Sequence, residues 1–302
     1  MNRTRLPQSS HGLLAALTAY VIWGFIPLLF HALATVPPLE MVAWRVVFSL
    51  PLCLLFTALN KGWGDLGNAL RQPKLVLQLT VSALLVASNW TIYVTAVVRG
   101  HVLATSLGYY INPLVNVLFG TVFLGERLGW RQWAAVALAA LGIALLADGA
   151  PDMLGTALLL ATSFACYALV RKLAPVNAIA GLTIETAVLF PVAFGWLLYA
   201  AQAPGGLAIA HGGLTALLLA VTGLTTTVPL ILFAVAARSL TLSTLGFLQY
   251  SAPTIVFVIG LALGEALVPV ELACFVLIWI AVALFVWDIW RRTRGLNRSA
   301  AS

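Results

Sequence analysis

Long stretches without charge, repeated along the whole chain, are the feature that most limits how it can fold. No Asp, Glu, Lys or Arg occurs between Lys74 and Arg99, and none occurs between Arg238 and Glu265. A helix that crosses the hydrocarbon core of a bilayer needs about 20 predominantly apolar residues. Because stretches of that length recur, the sequence predicts a chain that crosses a membrane many times.

A water-soluble fold is excluded by the shortage of charged side chains. Only 8% of the 302 residues are charged and 62% are hydrophobic, whereas soluble domains carry about 25% charged residues. Such a chain lacks the charged shell that a soluble core of this size needs. We therefore predict an all-α polytopic membrane protein, with the lipid bilayer as a partner.

Ten membrane spans fit the apolar stretches. They are predicted at about residues 12–33, 38–59, 75–98, 102–124, 131–148, 153–172, 178–201, 213–236, 242–263 and 270–290. The first span is predicted to stay in the protein rather than to be cleaved as a signal peptide. Its apolar stretch, from Gly12 to Phe30, is longer than the apolar region of a secretory signal.

Basic residues gather on one side of the membrane if the N-terminus lies in the cytoplasm. All of the 16 Lys and Arg residues then fall on the cytoplasmic side except Arg45, within a span, and Arg99, outside. Loops rich in Lys and Arg stay in the cytoplasm, so we predict a multi-pass protein of the bacterial inner membrane with both termini cytoplasmic. The net charge of +7 is spread over short loops, which indicates no nucleic-acid partner.

The cysteines and histidines do not indicate a metal site. Cys53, Cys166 and Cys274 each lie alone in an apolar span, without the paired spacing that metal sites and disulfides need. The histidines are scattered over the ends of several spans. We therefore predict no metal and no cofactor.

The second half of the chain repeats the first at an offset of about 140 residues. Residues 106–126 and residues 244–265 share one pattern, in which Pro113 corresponds to Pro253 and both segments end in Gly-Glu. The repeats are predicted as residues 1–150, with five helices, and residues 151–302, with five helices and a basic cytoplasmic tail.

Five spans in each repeat make the second repeat enter the membrane from the opposite face. Inverted repeats are typical of secondary transporters, in which a cavity near the midplane opens alternately to each side. Pro113 and Pro253 fall near the centres of their spans, where proline can bend a helix around a cavity. The predicted fold is thus ten transmembrane helices as two inverted five-helix repeats around a central cavity.

Short motifs recur through most spans. They are Ala19–Gly24, Ser88–Trp90, Ser106–Asn116, Phe123–Arg127, Leu169–Lys172, Ile184–Thr186, Thr225–Leu230 and Leu242–Tyr250. With these segments the chain resembles the drug/metabolite transporter superfamily, in its EamA branch, and specifically the RarD-type transporters. The resemblance covers nearly the whole chain.

The resemblance implies a cavity lined mostly by the first four helices of each repeat, with the fifth and tenth helices at the periphery. It implies a secondary carrier, often an exporter of small metabolites or amphiphilic drugs, in a group associated with chloramphenicol. The partner would be a small-molecule substrate. Both a monomer and a homodimer fit this expectation.

Two charged residues interrupt otherwise apolar spans at equivalent positions of the two repeats, Arg45 and Glu185. An ionisable group inside the membrane costs about 2.5 to 3.5 kcal/mol unless it is paired or hydrated. Glu185 is therefore a candidate for proton coupling or for binding a cationic group, and a structural carboxylate is the alternative. Because the two residues lie near opposite faces, we do not expect them to pair with each other.

Polar and aromatic side chains are the candidates for the cavity wall. Asn89 and Tyr93 are spaced to lie on one face of the third span, and Asn112 and Asn116 on one face of the fourth. Further candidates are Trp23, Trp90, Tyr109, Tyr110, Tyr167, Gln249 and Tyr250. Such a pocket is typical of small-molecule sites, whereas hydrogen bonding between helices and packing of rings is the alternative.

Charged residues at span ends have simpler expected roles. Glu126 and Glu265 end equivalent helices and are predicted to be structural or gating residues. Arg171 and Lys172 are expected to anchor the sixth span at the lipid headgroups.

Two other functions remain open at this point. An uncoupled facilitator or channel for small solutes would share every feature above. An intramembrane enzyme would need a nucleophile, a base and an orienting acid at matching depths, and the spans offer no such set. We therefore predict that the chain is not an enzyme.

Overall fold

The computed structural model describes residues 10–98, 102–148, 152, 154–262 and 269–299. Within these ranges the regular structure is helical, which confirms the predicted all-α class. The α-helices are α1 (Ser10–Ala32), α2 (Pro38–Leu59), α3 (Trp63–Leu70), α4 (Pro73–Val98), α5 (Val102–Leu124), α6 (Trp130–Asp148), α7 (Leu154–Leu173), α8 (Ala178–Ala200), α9 (Gly213–Ser239), α10 (Leu242–Gln249), α11 (Ser251–Ala262) and α12 (Pro269–Ser299). A short 3-10 helix, Ala208–His211, precedes α9.

The described residues contain ten segments that are long and apolar enough to cross a membrane. They match the ten predicted spans to within a few residues, apart from the longer C-terminal ends of α9 and α12. The ninth span is built from two helices, α10 and α11, which are separated at Tyr250. Pro253 explains this break, because its ring clashes with the carbonyl of the residue four positions earlier, Gln249, where α10 ends. Pro113, its counterpart, lies within α5, which continues without a break.

One short helix was not predicted. The helix α3 connects α2 to α4 and is too short to cross a bilayer. It buries Leu66 and Ala69 against Ala180 and Ile184 of α8 and leaves Trp63 exposed. This amphipathic pattern is typical of a helix that lies along the membrane surface.

Helix packing follows the predicted repeat. The helix α4 packs against α7 as its counterpart α9 packs against α1, and α5 packs against α7 as α11 packs against α1. The counterparts α2 and α8, α5 and α10, and α6 and α12 pack directly against each other. These contacts between the two repeats therefore occur in matching pairs, as a pseudo-two-fold axis requires. The boundary between the repeats near residue 150 stays a prediction.

The fifth and tenth spans form a pair at the edge of the bundle. The helices α6 and α12 pack against each other, with few contacts to the other helices. An ion pair joins them, with Arg131 Nη1 3.6 Å from Asp288 Oδ1. The predicted peripheral place of these two helices agrees with this packing.

Gly223 is the point of closest approach between α9 and α2. A Cβ atom at this position would lie only 2.9 Å from the carbonyl carbon of Phe48 and 3.1 Å from its oxygen. We therefore expect Gly223→Ala to push the two helices apart and to destabilise the protein by about 1 to 3 kcal/mol. Thermal unfolding in detergent measures this effect.

Gly195, within α8, provides the matched control. No atom of the described residues lies within 4 Å of a Cβ placed there, so Gly195→Ala should leave the melting temperature unchanged or raise it slightly. Equal melting temperatures for the two variants would contradict the close approach at Gly223.

Candidate functional site

A cavity lies between four helices, α2, α4, α8 and α9. Its walls are Val46, Ser49, Val86, Trp90, Leu182, Glu185, Thr186, Leu189, Thr226, Thr227 and Leu230. These helices are the second and third spans of each predicted repeat, so the cavity lies where the two repeats meet. It is narrow, with room for roughly one water molecule.

Glu185 lies on the cavity wall in an ion pair that the sequence did not predict. Its Oε1 lies 3.3 Å from Nη1 of Arg171, and both side chains are almost fully buried. Arg171 Nη2 also donates to the carbonyl oxygen of Ala178 at 3.1 Å. The expectation that Arg171 reaches the lipid headgroups is therefore wrong. Gly181 makes room for the guanidinium, because a Cβ there would collide with Nη1 of Arg171.

The second carboxylate oxygen of Glu185, Oε2, has no hydrogen-bond partner among the described residues. The titratable groups that face Glu185 are Arg171 and Tyr167 from α7 and Cys53 from α2. From α4, the Ser82 hydroxyl lies beside it. Glu185 thus has one oxygen held by a cation and one oxygen that could take up a proton.

Arg45 approaches the same cavity from α2. Its Nε donates to Thr226 Oγ1 at 2.9 Å, and its guanidinium carbon lies 4.7 Å from the ring centroid of Trp90. The ring centroid of Phe30 lies 5.6 Å from the same guanidinium carbon. As expected from the sequence, Arg45 does not pair with Glu185. No ion pair involving Arg45 is found within the described part of the chain.

Two of the predicted tyrosines lie beside Arg45. The ring centroids of Tyr93 and Tyr109 are 6.0 Å apart, and both residues are close enough to Arg45 to interact electrostatically with it. Together with Trp90, which lines the cavity, they form an aromatic group around this guanidinium. These three residues are the predicted aromatic candidates that the structure brings to the cavity or next to it.

The predicted asparagines lie between helices rather than on the cavity wall. Asn89 Nδ2 donates to the carbonyl oxygen of Leu160 at 2.9 Å and to Ser163 Oγ at 3.0 Å. Asn112 Nδ2 donates to the carbonyl oxygen of Ala161 at 2.6 Å. Both amides are buried and join α4 and α5 to α7, and neither lines the described cavity. Their role in a substrate cavity stays a prediction.

Asn116 and Gln249 are placed in the same way. Asn116 Nδ2 donates to Asn112 Oδ1 at 3.0 Å and to Gln249 Oε1 at 3.4 Å, which links α5 to α10. Both side chains are buried away from the cavity wall. In the structure these amides form hydrogen bonds between helices, which is the alternative to a role in the cavity.

The remaining aromatic candidates pack against other rings. Trp23 and Tyr167 both lie against Phe233, with ring centroids 5.7 and 5.8 Å away. Tyr250 donates its hydroxyl to the carbonyl oxygen of Tyr110 at 3.2 Å, and so joins α5 to the break between α10 and α11. None of these four predicted residues lines the described cavity, so their place on a substrate cavity stays a prediction.

Glu126 binds the start of α10. Its carboxylate accepts hydrogen bonds from the backbone N–H of Leu242 at 2.6 Å and of Ser243 at 3.0 Å, and from Ser243 Oγ at 2.6 Å. A carboxylate is favoured there because the first N–H groups of a helix lack partners within the helix. Glu265, its predicted counterpart, lies outside the described residues.

The same end of the bundle carries two further links. Lys172 Nζ donates to the carbonyl oxygens of Ala237 and Leu240, at the end of α9. Arg238 donates to the carbonyl oxygen of Val176, between α7 and α8. Together with Glu126, these cations hold the connection between α9 and α10. This geometry fits a structural or gating role.

Some cavity residues were not predicted from the sequence. Ser49, Thr186, Thr226 and Thr227 supply the neutral polar groups of the wall. The run of three threonines inside an apolar span, residues 225–227, was the signal that could have indicated two of them.

Comparisons with known proteins agree with this architecture. Residues 10–147 match the model of the EamA-like transporter family. A solved crystal structure that is 22% identical matches the fold with a TM-score of 0.72, over 94% of this chain and 99% of that chain.

Full-length relatives are closer in sequence. The chain is 45% identical to an uncharacterised transporter of Pseudomonas aeruginosa, over 94% of this chain and 96% of that protein. It is 40% identical to protein RarD of Escherichia coli, over 93% and 95% of the two chains. It is 32% identical to the chloramphenicol-sensitive protein RarD of Pseudomonas aeruginosa, over 96% and 98%. The chain is therefore a transporter, not an enzyme, and belongs to the EamA-like family as a RarD-type member.

Proposed function

We propose that this transporter is a secondary active carrier that exports small metabolites or amphiphilic drugs by alternating access around the cavity between α2, α4, α8 and α9. The observation that carries this proposal is the buried ion pair of Glu185 with Arg171 on the cavity wall. A buried charge with a purely structural role would not need to face a cavity where the two repeats meet. The cytoplasmic placement of both termini of this multi-pass protein of the bacterial inner membrane belongs to the same proposal.

Protons are the proposed coupling ion. A proton that binds Oε2 of Glu185 removes the negative charge that compensates Arg171, so the pair that joins α7 to α8 weakens. Because a buried charge without its partner is costly, protonation favours a different packing of the two helices. Solute binding and proton binding would then both shift the equilibrium between the two packings of α7 and α8. Coupled transport requires such a shared equilibrium.

The solute class is proposed from the cavity wall and from one relative. Apolar side chains and one indole, that of Trp90, dominate the wall, which suits amphiphilic aromatic molecules. The relative with chloramphenicol in its name makes chloramphenicol a member of the panel that we would test first.

Transport in proteoliposomes tests the proposal. With a panel of aromatic metabolites and chloramphenicol, we expect counterflow without a gradient and accumulation when a pH gradient is imposed. In Glu185→Gln, accumulation driven by the pH gradient should fall to the level of liposomes without protein, while counterflow remains. The residual counterflow should no longer depend on pH, because the proton site is gone.

Glu271→Gln is the matched control, since this carboxylate, in the first turn of α12, lies outside the cavity wall. It should transport as the wild type does. Gradient-driven accumulation by Glu185→Gln with the wild-type pH profile would overturn the proton role. Counterflow in the wild type that no gradient can turn into accumulation would identify an uncoupled facilitator instead.

A further inference from the structure

One positive charge beside the cavity, that of Arg45, has no compensating charge in the described part of the chain. Among the described residues, the charged groups on the cavity wall or in contact with the wall are Glu185, Arg171 and Arg45. Glu185 and Arg171 neutralise each other through their ion pair. Arg45 remains. Its described neighbours are the Thr226 hydroxyl and the rings of Phe30, Trp90, Tyr93 and Tyr109, and no carboxylate of a described residue pairs with it.

The hydrogen-bonding groups of Arg45 are mostly free. Only Nε donates to a described residue, Thr226, so the two terminal nitrogens have no hydrogen-bond partner among the described residues. The rings of Trp90 and Phe30 lie on the guanidinium at 4.7 and 5.6 Å. These rings favour a cation and fix its orientation, but they do not use its N–H groups.

A guanidinium with free terminal N–H groups is suited to a planar anion. Its donors form a fork that matches the two oxygens of a carboxylate. We propose that Arg45 is the subsite that binds the anionic group, a carboxylate, of the solute that this carrier transports. This inference rests on the proposed transport function and adds to it the charge class of the substrate.

The surroundings of Arg45 also indicate what the carboxylate is attached to. Trp90, Tyr93 and Tyr109 lie around the guanidinium, and Val46 and Val86 continue the cavity wall as apolar surface. An aromatic or other apolar body joined to one carboxylate fits these neighbours. A strongly hydrated polyanion does not, because the described residues of the wall and its neighbours offer it no second uncompensated cation.

Binding at Arg45 would act on a contact between the two repeats. The hydrogen bond from Arg45 to Thr226 joins α2 to α9, and the closed cavity has room for roughly one water molecule. The solute therefore needs these helices to separate before it fits. A carboxylate that binds the guanidinium would therefore bind the open arrangement more tightly than the closed one. A carrier needs this difference in affinity between its two states.

Matched pairs of carboxylates and amides test this subsite with the purified full-length protein. The probes are indole-3-acetate against indole-3-acetamide, and phenylacetate against phenylacetamide. We expect the carboxylates to raise the melting temperature of the wild type and the amides to leave it unchanged. The shift should disappear in Arg45→Gln and be reduced in Arg45→Lys, because an ammonium keeps the charge without the planar fork.

Three results would overturn the subsite. They are equal shifts by amides and carboxylates, a carboxylate shift that persists in Arg45→Gln, and no carboxylate shift in the wild type. If Arg45→Gln does not fold, the wild-type comparison of each carboxylate with its amide decides alone.

Counterflow of the same probes separates this inference from the proposed function. A protein that moves amides and carboxylates equally well is a carrier without an anion subsite. A protein that is stabilised by carboxylates but shows no counterflow for any probe has the subsite and is not a carrier of this class.

Discussion

Replacing Arg171 with methionine is expected to lower the free energy of unfolding by about 3 to 5 kcal/mol. The substitution leaves the carboxylate of Glu185 buried without its cation, and Glu185 Oε2 already has no hydrogen-bond partner among the described residues. Thermal unfolding in detergent, followed for the wild type and the variant at the same pH, measures the loss as a lower melting temperature.

The double variant Arg171→Met/Glu185→Leu is the control for this result. It removes both charges, and the replacement of a buried ion pair by apolar residues of similar size is often neutral for stability. We therefore expect the double variant to unfold at a higher temperature than Arg171→Met. A wild-type melting temperature for Arg171→Met, or an even lower one for the double variant, would contradict the buried ion pair.

Replacing Glu126 with alanine is expected to destabilise the protein by about 2 to 3 kcal/mol. The loss removes three hydrogen bonds and leaves the first N–H groups of α10 without their acceptor. Glu126→Gln keeps an acceptor but not the charge, so it should fall between the wild type and Glu126→Ala. The hydrogen-exchange rates of the Leu242 and Ser243 amides, the two backbone donors to Glu126, measure the effect directly.

Glu271 is the matched acidic residue for this experiment as well. It also lies in the first turn of a helix, α12, and its side chain makes no hydrogen bond with the described residues. Glu271→Gln should therefore unfold as the wild type does. If Glu126→Ala left the exchange rates of Leu242 and Ser243 unchanged, Glu126 would not be the group that binds the start of α10.

The spans could be predicted because the bilayer imposes them. The helices α2, α5 and α6 begin and end within a residue of the predicted positions, since charged or turn-forming residues bound each apolar stretch. The break at Tyr250 was not predicted, although Pro253 is visible in the sequence. Pro113 occupies the equivalent position in an unbroken helix, so proline alone does not determine where a helix stops.

The partner of Glu185 could not be predicted for a different reason. Arg171 stands beside Lys172 at the end of a span, where basic residues normally reach the headgroups. What turns Arg171 inward is the space beside Gly181 on α8, and that space exists only once α7 and α8 pack together. Charge and depth identified Glu185 as a special residue, but tertiary packing selected its partner.

The asparagines show the limit of periodicity. The spacing of Asn112 and Asn116 correctly placed both side chains on one face of α5, and they do form a hydrogen bond with each other. Periodicity does not tell whether that face meets a cavity or another helix. In the structure it meets α7 and α10, because in a bilayer an amide lowers its free energy by bonding across a helix interface.

Access to the cavity from each side of the membrane is the most direct test of the transport mechanism. Ser49 lines the cavity and is buried, so Ser49→Cys, in a protein without Cys53, Cys166 and Cys274, places one thiol at the junction of the repeats. Labelling with a membrane-impermeant thiol reagent is measured in right-side-out and in inside-out vesicles, with and without a pH gradient. Alternating access predicts labelling from both sides, with the gradient increasing labelling from one side and decreasing it from the other. Labelling from one side only, whatever the gradient, would contradict it.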